Sequence, residues 1–108
     1  MIAITHFTDE GDAFLPRARP ALEALSKCVG YRRGSIGRCT DDTDAWVLIT
    51  EWANVGSYRR ALGTWDVKLH ATPLLALARD LPSGFESLVE IAAGGETTAH
   101  ASDREPDA

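Results

Sequence analysis

Over its first seven residues the chain alternates. Ile2, Ile4 and His6 fall on one face, Ala3, Thr5 and Phe7 on the other, which is the period of a strand. Asp9-Glu10-Gly11-Asp12 follows as a turn cluster able to supply a helix N-cap. From Phe14 to Lys27, Leu15, Ala18, Leu22 and Leu25 recur at intervals of three and four, predicting a helix with one apolar stripe. Pro16 suits the first turn of that helix, whereas Pro20 removes an internal hydrogen bond and predicts a kink or a late start. Gly30 closes the helix as a left-handed residue does.

Tyr31 to Thr40 and Ala45 to Trp52 flank the polar run Asp41-Asp42-Thr43-Asp44 and read as an antiparallel hairpin. Its second strand, from Trp46 to Trp52, is apolar on both faces for most of its length, so cover on both sides is expected. Asn54 caps a short helix closed by Gly63, and Thr64 caps a second from Trp65 to Asp80, bent at Pro73. After the turn Leu81-Pro82-Ser83-Gly84, Phe85 to Ile91 returns as a strand.

The order strand, helix, strand, strand, helix, strand is that of an α+β, ferredoxin-like split βαβ domain. It places both helices on one face of a four-stranded antiparallel sheet and leaves the other face bare. A third strand with two apolar faces then predicts a homodimer packed sheet against sheet, closing a dimeric α/β barrel.

Residues 1–92 form the predicted domain, and residues 93–108 lack any large apolar side chain. That tail carries Glu96, Asp103, Glu105 and Asp107 against Arg104, a net −3 of the chain's −5, and it is expected to be a disordered acidic segment. Gly94-Gly95 and His100 lie within it and are given no role in a site. The negative balance argues against nucleic acid as a partner. No run approaches the length of a membrane span, and no export signal opens the chain, so a cytoplasmic protein is expected. Cys28 and Cys39 have no metal-ligand spacing and read as reduced, buried thiols.

Val29-Gly30-Tyr31 before a hairpin, Glu51-Trp52 ending its second strand, then Ser57-Tyr58-Arg59-Arg60-Ala61-Leu62, Val67-Lys68, Pro73-Leu74-Leu75 and Phe85-Glu86 together resemble the antibiotic biosynthesis monooxygenase family. The resemblance spans roughly residues 1–91. It implies a ferredoxin-like homodimer with a pocket between sheet and helices in each subunit. It also implies oxygenation of a polycyclic phenol or polyketide-like molecule without a cofactor, metal or flavin. The haem-degrading members carry an Asn on the first strand and a Trp and a His on the helical segment. Here the corresponding helical positions are Ala61 and Ala71, and the first strand offers only His6, so haem degradation is not expected.

A cofactor-free oxygenase needs a base, a donor for the developing anion and a dry pocket. His6 and Tyr58 are the catalytic candidates, His6 as base if it points inward and Tyr58 as donor. Trp52, Asn54, Trp65 and His70 are the substrate-binding candidates, the tryptophans as flat walls for an aromatic ligand. On a regular helix Trp65 and His70 stand on different faces and cannot share one pocket. Each candidate also has a structural reading, as core or interface side chain. The arginines Arg32, Arg33 and Arg38 read as edge-strand charges. A non-catalytic dimer holding a small hydrophobic ligand, and an oxygen-independent isomerase, stand as alternatives.

Overall fold

A computed structural model describes residues 1–9 and 12–102 of the chain. Its elements are β1 (Ile2–Thr8), α1 (Phe14–Ser26), β2 (Tyr31–Arg38), β3 (Ala45–Trp52), α2 (Val55–Leu62), α3 (Trp65–His70), α4 (Thr72–Leu75), β4 (Gly84–Phe85), β5 (Val89–Ile91) and β6 (Thr97–Ala99). The main sheet is antiparallel and ordered β2-β3-β1-β4, with the helices on one face. This is the α+β, ferredoxin-like arrangement that the element order predicts.

Alternation decides what each strand buries. In β1, Ala3, Thr5 and Phe7 are buried against the helices, and in β3 Trp46, Leu48, Thr50 and Trp52 are. The register sets Phe7 beside Trp46 and Thr5 beside Leu48, so the large rings and the small side chains interdigitate. Phe14 of α1 stacks between Phe7 and Trp46, with ring centroids 4.9 and 5.0 Å away. With rings filling the layer, α1 approaches through small residues. Ala18, Ala21 and Ala24 are buried beside Leu25, whereas Leu15, assigned to the stripe by its spacing, is exposed. Pro20 is accommodated on the exposed face of the helix.

The other sheet face carries Ile2, Ile4 and His6 of β1 and Val47, Ile49 and Glu51 of β3, all half-buried and covered by no helix. Arg33 of β2 pairs with Glu51 at its border. The apolar second face of β3 is therefore real: the β5–β6 hairpin borders it at Ile2, Arg33 and Glu51, and among the described residues no helix covers the rest.

Three boundaries differ from expectation. The segment after Thr64 is two short helices, because Pro73 cannot donate the backbone bond that would carry α3 through, and it sits instead in the first turn of α4. The closing strand breaks in two. Gly84 and Phe85 pair with Ala3 and Ile2. Val89–Ile91 then pairs with Thr97–Ala99 in a separate hairpin. Its turn is Gly94-Gly95, at φ 91° and 95°, left-handed positions that suit glycine. Residues 93–102 are thus not the unstructured stretch expected of them, and residues 103–108 of that tail lie outside the described residues. So do Glu10 and Gly11 of the first turn cluster, and Ala13 at the α1 N-cap makes no side-chain cap. Gly30, at φ 90°, leads the chain from α1 into β2. Both cysteines are free thiols, but Cys39 is exposed rather than buried. No helix among the described residues is long and apolar enough to cross a membrane.

Candidate functional site

Helix α2 begins where β3 ends, and its first turn is fixed by Asn54, whose side chain accepts a hydrogen bond from the Ser57 amide at 2.8 Å. That cap aims Val55, Tyr58 and Leu62 across a gap toward the loop that continues β4. The result is an open cleft of about 900 Å³ between α2 and residues 83–88. Val55, Tyr58, Leu62, Phe85 and Leu88 give it an apolar lining, with Met1 at the floor and Arg59 and Glu86 at the rim. Such a volume is in the range of sites that bury small organic ligands.

The back wall is aromatic. Trp52 is wholly buried, and its ring lies 5.5 Å from that of Tyr58 and 5.4 Å from that of Tyr31. Its indole N–H donates to Thr50 Oγ1 at 2.8 Å, so its one polar atom is satisfied inside the core. Burial pushes the Tyr58 phenol above the ordinary tyrosine pKa. It therefore stays protonated at neutral pH and can donate a hydrogen bond to an oxyanion in the cleft.

A polar chamber of about 210 Å³ adjoins the cleft and shares Met1, Val55 and Glu86 with it. Arg32, Asn54, Glu90 and His100 line the chamber. The His100 ring bonds Glu90 at 2.6 Å, which holds the Glu90 carboxyl below the usual range, and Ser102 Oγ donates to Glu86 at 2.6 Å. The C-terminal hairpin is thereby part of the site's border.

Of the six residues singled out in the sequence, Tyr58 lines the cleft, Trp52 backs it and Asn54 caps the helix that forms its wall while facing the polar chamber. The other three stand elsewhere. His6 shares its face with Ile2 and Ile4 on the uncovered side of the sheet, opposite Val47, because the inward positions of β1 are Ala3, Thr5 and Phe7. It therefore stands on the sheet face opposite the helix-side cleft. Trp65 is 79% exposed, and His70 lies on the surface of α3 beside Asp66, Nε2 to Oδ1 at 3.5 Å. Neither reaches the cleft, since α3 buries Val67 alone. Leu62, Phe85, Leu88 and Glu86 were not anticipated. The sheet order brings them to α2, and no local spacing signals it.

Neither a family model nor a curated protein sequence matches the chain. Solved structures do. SnoaB, a cofactor-independent oxygenase from Streptomyces nogalater, superposes with a TM-score of 0.62 at 22% identity, over 96% of this chain and 93% of that one. A protein from Nitrosomonas europaea assigned to the antibiotic biosynthesis monooxygenases gives 0.62 at 17% identity, over 81% and 97%. A conserved protein from Methanosarcina mazei gives 0.61 at 15%, over 77% and 84%. The fold is thus one shared with antibiotic biosynthesis monooxygenases, as the sequence resemblance implied, and at these identities the likeness is one of fold.

Proposed function

We propose that this protein is a cofactor-independent monooxygenase acting on an aromatic or polyketide-like molecule bound in the cleft beneath α2. The observation that carries the reading is a protonated, half-buried Tyr58 set in an apolar cleft against a buried tryptophan. In a substrate such as an anthrone, loss of a proton from the reacting carbon gives an anion rich enough to reduce dioxygen. The carbanion and dioxygen form a carbon–oxygen bond through a radical pair, and the peroxide then loses water. One CH2 and one O2 become one C=O and one H2O, with all four electrons supplied by the substrate. Tyr58 donates to the anion as charge develops on the ring oxygen. Glu86 on the rim takes the proton, the part assigned to His6 in the sequence. The substrate's own rings, packed on the apolar lining, shield the peroxide from water.

A homodimer joined through the uncovered sheet face belongs to the same reading. Ile2, Ile4, Val47 and Ile49 form a continuous apolar strip there, of the kind that marks an interface.

Dioxygen uptake by metal-stripped protein over a panel of anthrones and hydroquinones tests the reaction. The expected result is uptake above the spontaneous rate, lost on heating and reduced in Tyr58→Phe and Glu86→Gln. One observation favours a second reading, a ligand-binding dimer without catalysis: the sheltered titratable group of the cleft is an acid held protonated, and the candidate base is exposed. Binding of the panel without uptake by any member would select it.

A further inference from the structure

On the far side of α2 from the cleft, a second groove of about 520 Å³ runs between the end of α1 and the α2–α3 junction. Ala24, Ala61 and the Cys28 thiol make its floor apolar, the exposed Val29 stands at its edge, and Lys27, just past α1, and Arg60 of α2 border it. Cys28 Sγ sits 3.6 Å from the Ala24 carbonyl and 3.9 Å from Thr64 Oγ1, and the half-buried Cys28 lines the groove.

The charge on this groove is unbalanced. Asp66 is its one acid, and it faces His70 at 3.5 Å. Arg60 makes a single hydrogen bond, from Nη2 to Ser57 Oγ at 3.4 Å, and among the described residues neither it nor Lys27 has a carboxylate partner. An apolar floor flanked by two unpaired cations is complementary to a molecule with an apolar body and one anionic head. We infer that the groove between α1 and α2 binds a small organic carboxylate, apolar body on Ala24, Val29 and Ala61, carboxylate between Lys27 and Arg60. The helical layer separates it from the Tyr58 cleft, so it is a second site, independent of the reaction proposed for the first.

The two cysteines supply a test with an internal control. Cys28 lines the groove, and Cys39 is exposed at the end of the β2 strand region, away from it. Alkylation of each thiol by iodoacetamide is followed by mass spectrometry at increasing concentrations of decanoate or of decanol. Decanoate is expected to slow Cys28 alkylation and leave Cys39 unchanged. Lys27→Gln and Arg60→Gln are each expected to raise the half-protecting concentration about two- to fivefold, the range of a partly exposed ion pair. Added salt is expected to weaken protection by decanoate. Equal protection of Cys28 by decanol, or equal effects on both thiols, overturns the proposal, as does the absence of protection. Unchanged circular dichroism of the two variants separates lost binding from lost folding.

Discussion

The phenol ring of Tyr58 leans on the indole of Trp52 at 5.5 Å and 56°, one ring facing the cleft and the other sealed in the core. The contact fixes the hydroxyl without using it. Tyr58→Phe keeps the ring and removes only the donor, so folding stability is expected to change by less than about 1 kcal/mol. Turnover, measured as dioxygen uptake, is expected to fall about 100-fold, the scale of losing one donor to a developing oxyanion. A fall in stability equal to the fall in activity would instead make the residue structural.

Asn54 holds the first turn of the helix that carries Tyr58. Asn54→Ala removes the acceptor for the Ser57 amide and is expected to lower unfolding free energy by about 1 kcal/mol in urea titration. Asn54→Asp retains an acceptor oxygen and is expected to restore most of that loss.

Burial raises the Tyr58 phenol, and Tyr31 shifts the same way for the same reason. Below about pH 10 both are protonated in the folded and the unfolded chain and contribute no pH dependence. As pH rises past that point the unfolded chain releases these protons first, so stability falls until the folded phenols ionise as well. Thermal midpoints between neutral pH and about pH 11 are expected to show this alkaline loss, with a shallower fall in Tyr58→Phe.

Ile49 lies in the middle of the uncovered strip, paired across the sheet with Ile4 and Ser35. Sedimentation of the native chain is expected to give a dimer, and Ile49→Lys a folded monomer, because a lysine there sets a charge in an apolar interface. A native chain that sediments as a monomer removes the dimer from the proposal.

Much of the frame is legible in the residues. Asn54 three places before Ser57 and the Asp-rich loop between two strand-forming runs each state a local structure that short-range physics enforces. Alternation in β1 shows two faces, yet Ile2-Ile4-His6 and Ala3-Thr5-Phe7 are both apolar enough to face a core. Which one meets the helices is decided by where Trp46 and Phe14 fit. His6 falls on the outer face for that reason. Phe85 and Tyr58 meet through the order of the sheet, a relation between distant segments that carries no periodicity. The split of the final strand is likewise a matter of distant partners, its first part pairing with β1 and its second with β6.

The register of β1 on β3 joins segments that lie far apart along the chain. Phe7 finds Trp46, and Ile2 finds Glu51, only after the intervening helix and the β2–β3 hairpin have been laid down. The hairpin closes a short loop and forms cheaply, whereas β1 closes a long one and gains nothing until β3 exists. β1 is therefore expected to pair after the β2–β3 hairpin has formed. Until then it is an apolar ribbon with both edges unpaired, and the speed of its docking governs how long a nascent chain is open to pairing with another copy of itself.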